Sequence, residues 1–286
     1  TIVITGVTTL LSPEGKPYSD NRVDPTHSLD GEALRYNQSA DEIIYSAEGE
    51  RTVNKGKEFL VQNPTVYSAY IDGSFKDSFE LPPNLYFHET ENGPRTNSVF
   101  EGLTFTEDYR YLYLSVEEPI YEDGPRAGTG DSTAWVRFLK FDTQTRKQVA
   151  QYAYKIEALP YPANPPGAAK INGVSDILYA GNNKFIVIER AYMTGRNSNY
   201  VQVFLADVND ASDISAVGSI QSLNSFHPIT KKLLINMESL NRHIDNIEGV
   251  TFGPLLSNGH QTMLFVVDDN FSPTQTAQLF LFEVIP

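Results

Sequence analysis

Asn246-Ile247-Glu248-Gly249-Val250-Thr251-Phe252-Gly253-Pro254 sets a carboxylate at the start of a short apolar strand. After a polar segment, Leu264-Phe265-Val266-Val267-Asp268-Asp269-Asn270-Phe271 forms a second apolar run with two more carboxylates near its end. Two short strands joined by a turn predict an antiparallel hairpin. The residue that opens one strand then lies beside the residue that closes the other, so we expect Glu248 and Asp268 to be neighbours.

The same order of carboxylate, strand, turn, strand and carboxylate occurs three more times along the chain. The opening acids are Glu32, Glu101, Asp176 and Glu248, and the closing acids are Glu48, Glu117, Glu189 and Asp268. Successive opening acids are 69, 75 and 72 residues apart. A period this regular, with strands inside it, is typical of a β-propeller.

Each repeat also holds a second pair of apolar runs, near residues 64–81, 134–155, 200–219 and 277–284. The sequence therefore predicts an all-β fold, a β-propeller of four-stranded antiparallel blades, with four repeats visible and a blade count between four and six. Residues 1–286 are expected to form a single domain. The last repeat lacks a fourth strand, and the β-rich stretch Thr1–Val7 would supply it and close the ring.

Four such hairpins on one ring would direct about eight carboxylates towards one face. Like charges at this density require a cation, and oxygen ligands favour Ca²⁺ first and Mg²⁺ second. The candidate metal ligands are Glu48, Glu101, Asp176, Glu189, Glu248, Asp268 and Asp269. We expect Glu101, Glu248 and Asp268 to hold the ion, while Glu32 or Glu117 acts as general base.

Several basic side chains flank these acids. Arg95, Arg126, Arg190 and Arg242 are candidate binders of an anionic substrate group, and His243 is a candidate for proton transfer. Arg95 could equally well order its own loop by donating hydrogen bonds to backbone carbonyls. His243 could have a structural role instead of a catalytic one. Arg190 ranks second because it follows Glu189 directly, and adjacent strand residues face opposite ways.

Composition excludes several classes of protein. The net charge of −14 disfavours nucleic acid and acidic membrane surfaces as partners, and no run is long enough to span a membrane. The absence of cysteine excludes disulfides, zinc-thiolate sites and thiol nucleophiles. It is compatible with a bacterial periplasmic or extracellular location, with a leader removed before the first strand. We expect a monomer that takes a small anionic or ester substrate.

Motifs for other chemistries are missing. The segment Gly173-Val174-Ser175-Asp176 fails as a Gly-x-Ser-x-Gly elbow, and there is no His-Glu-x-x-His, phosphate-binding loop or dinucleotide fingerprint. The remaining possibilities are metal-centred chemistry and plain binding.

The repeated motifs, taken together, resemble those of the phytase-like domain family, described as "esterase-like activity of phytase" proteins. The matching pieces lie at residues 30–36, 46–49, 93–104, 117–120, 189–190, 246–254 and 268–271. The resemblance implies a β-propeller and a hydrolase of a phosphate ester or related ester. Such domains begin with a Gly-Gly-Leu-Ser-Gly repeat that this sequence lacks; without it four units are implied, and with it five.

Two hypotheses follow. The first is a Ca²⁺-dependent hydrolase of a monoester, diester or lactone, since few clustered Lys and Arg residues are present for a highly phosphorylated substrate such as phytate. The second is a non-catalytic propeller in which structural Ca²⁺ supports a face that binds a sugar, peptide or protein.

Overall fold

The computed structural model describes residues 3, 5–53, 60–130 and 133–285. In this part of the chain there are seventeen strands and four short 3₁₀ helices. The strands are β1 (Gly31–Asn37), β2 (Glu42–Ala47), β3 (Glu50–Thr52), β4 (Leu60–Gln62), β5 (Thr65–Tyr70), β6 (Phe75–Ser78), β7 (Phe100–Phe105), β8 (Tyr111–Val116), β9 (Trp135–Asp142), β10 (Gln148–Lys155), β11 (Lys170–Tyr179), β12 (Lys184–Met193), β13 (Tyr200–Asp207), β14 (Thr230–Asn236), β15 (Asn246–Phe252), β16 (Thr262–Asp268) and β17 (Leu279–Glu283). The 3₁₀ helices are Pro83–Leu85, Tyr121–Asp123, Ile220–Ser222 and Met237–Leu240.

Four antiparallel sheets form the blades of a propeller, which confirms the predicted fold class. Their strand orders are β1-β2-β5-β6, β7-β8-β9-β10, β11-β12-β13-β14 and β15-β16-β17, and we number them blades 1 to 4. The ribbon β3-β4 lies apart from the blades. The outer strand of blade 3, β14, lies at Thr230–Asn236 rather than before residue 219, because a long loop separates it from β13.

Three apolar cores join successive blades. The first packs Ile44 of blade 1 against Leu103 and Leu114 of blade 2. The second packs blade 2 against blade 3, and the third packs Ile188 of blade 3 against Val250 of blade 4. Successive side chains of a strand point to opposite faces of its sheet. Each of the two faces can therefore pack against a different neighbouring blade.

The seam between blade 4 and blade 1 differs, because no buried apolar cluster joins these two blades within the described residues. Leu34 of blade 1 is 50% exposed, although its counterpart Leu103 in blade 2 is fully buried. On blade 4, Val266 pairs with Leu279 and both are about half exposed, as is Leu281 on the same face. The propeller thus has an apolar seam that its own described residues leave uncovered.

The expected closure by Thr1–Val7 lies partly outside the described residues, since residues 1, 2 and 4 are not described. Further along, the Leu11 N–H donates to the carbonyl of Gly73 over 2.8 Å. That contact places this part of the chain at the β5–β6 turn of blade 1. Among the described residues, β17 pairs with β16 alone.

Substitutions on the two kinds of face should differ sharply. Leu114→Ala should lower the free energy of unfolding by about 2–5 kcal/mol, because it leaves a cavity in a fully buried core. Leu281→Ala, at a side chain 62% exposed, should change it by no more than about 0.5 kcal/mol. Urea denaturation followed through the single tryptophan, Trp135, measures both. Equal losses would mean that the seam is packed in solution.

Candidate active site

A β-bulge occurs at the same place in the inner strand of every blade. The pairing register shifts between Gly31/Leu34, Phe100/Gly102, Val174/Asp176 and Ile247/Gly249. A bulge adds one residue to a strand and turns its side chain out of the regular alternation. The residues at the equivalent bulge position are Glu32, Glu101, Ser175 and Glu248. Blade 3 therefore has a serine where the other three blades have a glutamate.

The closing positions follow from the same pairing. The residue before each bulge pairs with Ala47, Val116, Glu189 or Val267, and the next residue along follows on the same strand or directly after it. The residues at this closing position are Glu48, Glu117, Arg190 and Asp268. In blade 3 an arginine thus takes the place of the fourth acid.

All of these side chains except Ser175 and Glu48 line a cavity of about 710 Å³ at the propeller axis. Its charged lining residues are Asp30, Glu32, Glu101, Glu117, Glu248, Asp268 and Arg190. Glu48 is buried close by, and its carboxylate accepts a short hydrogen bond from the Val99 N–H. The cavity therefore gathers six carboxylates and one guanidinium from all four blades.

Arg190 is the cation around which the carboxylates are arranged. Its guanidinium lies 3.1 Å from a Glu117 oxygen and 3.7 Å from a Glu248 oxygen, and it donates a short hydrogen bond to Asn246. The buried Nε has no hydrogen-bond partner among the described residues. One positive charge faces several negative ones, so the cavity keeps a strong excess of negative charge.

Burial and mutual repulsion raise the pKa of these acids. Burial, reinforced by the charges of Glu117 and Glu32, raises the pKa of Glu48 to about 9, although the Val99 N–H opposes the shift. Burial raises the pKa of Glu117 to about 7, with Arg190 acting in the opposite direction. Burial and the neighbouring Glu117 raise the pKa of Glu101 well above its ordinary value.

Glu32 combines a shifted pKa with access to solvent. Enclosure by the cavity, together with the charges of Asp30 and Glu248, raises its pKa to about 8. Its side chain nevertheless remains exposed at the cavity surface. Among the cavity acids with a raised pKa, it is therefore well placed to exchange a proton with a bound molecule.

Two groups of acids bring their oxygens close enough to hold a metal ion. They are Asp30 with Glu32 and Glu48, and Glu48 with Glu101 and Glu117; within each group the oxygens lie within 4.8 Å of one another. An all-carboxylate donor set suits a hard cation such as Ca²⁺. Glu48 belongs to both groups, so the two groups form one continuous acidic cluster.

The structure places Asp176 and Glu189 outside the cavity. Asp176 follows the bulge and accepts from Arg35 of blade 1 at 2.8 and 2.7 Å and from the Val250 N–H of blade 4 at 2.9 Å. Glu189 faces the other side of its strand, where it accepts from the Tyr154 hydroxyl and from Lys231. The expectation that these two acids face one another is corrected by a shift of one residue in each strand.

The same one-residue shift means that Arg190, and not Glu189 as expected, points into the cavity. Adjacent strand residues face opposite ways, as expected, but the arginine is the one that points to the axis. The alternation of side chains along a strand could not by itself decide whether Glu189 or Arg190 points inward. The bulge in β11 shifts by one residue which β12 residue lies opposite each β11 residue.

The other candidate residues lie away from the cavity lining. Arg95 donates to the carbonyls of Pro119 and Gly124 and stacks on the Tyr121 ring at 4.3 Å, which matches the loop-ordering alternative. Arg126 forms an ion pair with Glu118 at 3.0 Å.

Three further candidates lie on the blade 4 side of the molecule. Arg242 is exposed and lines a shallow cavity along β17. Asp269 accepts from the Phe271 N–H at 3.0 Å and so stabilises its own turn. His243 contacts Ser198 and Asp245 instead of the acidic cavity.

Some cavity residues were not among the candidates. Asp30 and Asn246 each lie two residues before an opening acid, Glu32 and Glu248, and the sequence marks them only by that spacing. Gly173 makes room for the site, because a Cβ there would come within 2.5 Å of the Glu117 Cγ. That close approach was not readable from the sequence, since Gly173 and Glu117 belong to different blades.

An antiparallel β-propeller with an acid-lined axial cavity is the class that this fold and site define. The chain belongs to the phytase-like family, whose model, described as "Esterase-like activity of phytase", matches residues 1–271. An "Uncharacterized secreted protein" of Arthroderma benhamiae is 25% identical over 185 residues, which cover 57% of this chain. The chain spans only 36% of that relative's length.

A periplasmic gluconolactonase of Pseudomonas aeruginosa, PpgL, is a solved structure similar over 88% of this chain and 72% of its own, with 13% identity and a TM-score of 0.31. Separately, the helices of the described residues are single short turns, and none has the length or apolarity of a membrane span.

The raised pKa values predict how stability depends on pH in the absence of divalent cations. Glu48 and Glu117 titrate near 9 and 7 in the folded protein but near 4.5 when unfolded, so the native state binds more protons between these limits. Their contribution to stability is complete below about pH 4.5 and is lost as pH rises through 7 to 9. We expect the melting temperature in EDTA to fall over that range.

Glu48→Gln provides the control, because it removes one of the titrating groups while keeping an oxygen for the Val99 N–H. Its melting temperature should depend less steeply on pH than that of the unsubstituted protein. A melting temperature that rises between pH 5 and 9 would contradict the arrangement of the site.

Proposed function

We propose that the protein is a Ca²⁺-dependent hydrolase of a phosphate monoester, a diester or a related ester such as a lactone, and that the axial cavity is its active site. The observation that carries this proposal is the gathering of six carboxylates around one partly buried arginine in a cavity of about 710 Å³. Membership of a family described by esterase-like activity supports a hydrolase-type propeller.

The donor set fits Ca²⁺ in its chemistry, since all of its members are carboxylates. Ca²⁺ takes about six to eight oxygen ligands at variable angles, whereas Mg²⁺ requires a stricter octahedron and is the second choice. Glu48, Glu101 and Glu117 would hold the ion, with Asp30, Glu248 and Asp268 completing the negative surroundings. When bound, the ion would supply Lewis-acid polarisation of the ester and a more acidic water.

The chain's own groups would divide the remaining work. The Glu32 carboxylate is exposed at the cavity surface, so it can take a proton from the attacking water and return one to the leaving group. Arg190 contributes positive charge beside the reacting group through the same guanidinium that binds Glu117. Both roles use side chains that already line the cavity.

The charge of the cavity limits how much negative charge a substrate can carry. Of the described residues that line it, Arg190 alone is positively charged. A substrate with many phosphates would meet net repulsion, whereas one phosphate or a neutral ester can be compensated by the ion and by Arg190. We therefore favour a small substrate with little negative charge over phytate.

The location that we propose is outside the cytoplasm, in the periplasm or the extracellular medium. The relative from Arthroderma benhamiae is described as secreted, and the absence of cysteine makes the chain indifferent to an oxidising compartment.

Removal of single cavity charges tests the proposal. Glu101→Gln and Glu248→Gln should each lower Ca²⁺-dependent turnover of p-nitrophenyl phosphate, bis(p-nitrophenyl) phosphate or a short ester by about 10- to 100-fold or more. Loss of a group that only supports a metal ligand already costs about that much. Assays in Ca²⁺ and in EDTA, with isothermal titration of Ca²⁺, measure turnover and binding separately.

The matched control is Glu80→Gln, which removes the same charge from a side chain that is 69% exposed and pairs loosely with Lys147. It should leave turnover and Ca²⁺ binding unchanged. If Ca²⁺ raises the melting temperature but no substrate is hydrolysed, the propeller is a binding module with a structural ion and the hydrolase proposal fails.

A further inference from the structure

Ser198, His243 and Asp245 form a row of hydrogen-bonding side chains beside the acidic cavity. The Ser198 hydroxyl lies 3.3 Å from Nδ1 of His243, and Nε2 of the same ring lies 3.3 Å from a carboxylate oxygen of Asp245. Ser198 precedes β13, whereas the other two residues lie just before β15. The row therefore joins blade 3 to blade 4, and none of its members lines the axial cavity.

The two contacts of the His243 imidazole indicate which ring nitrogen carries the hydrogen. A carboxylate only accepts hydrogen bonds, so Nε2 carries the hydrogen that faces Asp245. Nδ1 of the neutral ring then has a free lone pair, and this lone pair faces the Ser198 hydroxyl. Nucleophile, base and orienting carboxylate thus stand in the order that activated serines require, at distances that are usual before a substrate binds.

Asp245 is held so that it can orient the ring. Its carboxylate accepts from the Gln275 side chain at 3.1 Å and from the Thr276 N–H at 3.0 Å. Although burial opposes ionisation, these bonds and the bond from His243 lower its pKa. The carboxylate therefore stays charged and can stabilise the imidazolium that forms when the ring takes up a proton.

A cavity of about 490 Å³ opens onto His243 and Asp245. Tyr192, Arg196, Asn197, Thr274 and Gln275 also line it, and Tyr192 and Gln275 lie on the wall shared with the acidic cavity. Ser198 is not part of this lining, but it follows the lining residue Asn197 directly in the chain. A volume of this size is typical of sites for small molecules. Arg196 forms an ion pair with Glu238 at 2.7 Å, and the other four side chains are uncharged. The cavity therefore suits a neutral ester better than the axial cavity does.

We propose that Ser198 is the nucleophile of a second, metal-independent site that hydrolyses small uncharged carboxylic esters, with His243 as general base and Asp245 as its orienting residue. This activity goes beyond the metal-dependent reaction of the axial cavity, and none of its three reacting residues lines that cavity.

The reaction balances without a cofactor. The Ser198 oxygen bonds to the ester carbonyl carbon, its proton passes to Nδ1 of His243, and the bond to the alcohol oxygen breaks as that proton is returned to the leaving alkoxide. Water, deprotonated by His243, then attacks the acyl-enzyme, releases the carboxylic acid and restores the serine hydroxyl.

Ser198 also has a structural contact that the experiment must separate from catalysis. Its oxygen accepts from the Ile244 N–H at 2.8 Å and lies 3.2 Å from the Ile244 carbonyl. The hydroxyl hydrogen therefore has two acceptors at nearly equal distances, and rotation about the Cβ–Oγ bond turns it towards His243. A hydroxyl that only ties the two loops together would not react with an acylating or phosphonylating probe.

Reaction with a fluorophosphonate tests the proposal directly. In this reaction the Ser198 oxygen bonds to phosphorus, fluoride leaves, and His243 takes the proton. The full chain in EDTA should gain one adduct, which peptide mapping should place at Ser198, and p-nitrophenyl acetate should be hydrolysed under the same conditions. His243→Gln should slow labelling about 100-fold or more, because it removes the base while leaving the Ile244 contacts of Ser198 in place.

Two controls complete the test. Ser222→Ala removes an exposed hydroxyl that donates to the Ser219 carbonyl, and it should not change labelling. Labelling of the unsubstituted chain should be equal in EDTA and in Ca²⁺, so failure of the metal-dependent proposal would not affect this one. No adduct in EDTA, an adduct at another residue, or labelling of Ser198 at an unchanged rate in His243→Gln would each overturn the inference.

Discussion

The structure depends on one geometric constraint, the β-bulge in the inner strand of every blade. In a regular strand, successive side chains alternate between the two faces of the sheet, and those faces are needed for packing against neighbouring blades. The extra residue in each bulge releases one side chain from that requirement. This is how Glu32, Glu101 and Glu248 can point to the axis while the residues after them still support the sheets.

The negative charge that these acids concentrate at the axis is compensated by blade 3 and, among the described residues that line the cavity, not by the other blades. Blade 3 supplies Ser175 and Arg190 where the other blades supply acids, and this departure from the repeat relieves part of the repulsion. It also leaves Asp176 free to bind Arg35 and the Val250 N–H, which links blades 1, 3 and 4 near the axis. The blade that breaks the pattern is therefore the one that holds the carboxylates together.

The two cavities on this face use different chemistry within a short distance. The axial cavity concentrates negative charge and suits a cation, whereas the neighbouring one is lined mainly by uncharged side chains around a histidine. Tyr192 and Gln275 belong to the wall between them. Loops that carry reactive groups on a rigid β-scaffold are a common arrangement, since the scaffold fixes the ends of each loop.

The sequence alone determined the all-β class, the repeat of about 72 residues and the convergence of Glu32, Glu101, Glu117, Glu248 and Asp268, because these follow from local alternation and hairpin pairing. Only the tertiary structure decided that Arg190 rather than Glu189 faces the axis, because a one-residue bulge reverses parity without leaving a reliable mark in sequence. It also decided the place of Asp176, the contact of Gly173 with Glu117, and the uncovered seam beside Leu34 and Leu281. Each of these depends on contacts between blades that lie far apart along the chain, and no local pattern encodes such contacts.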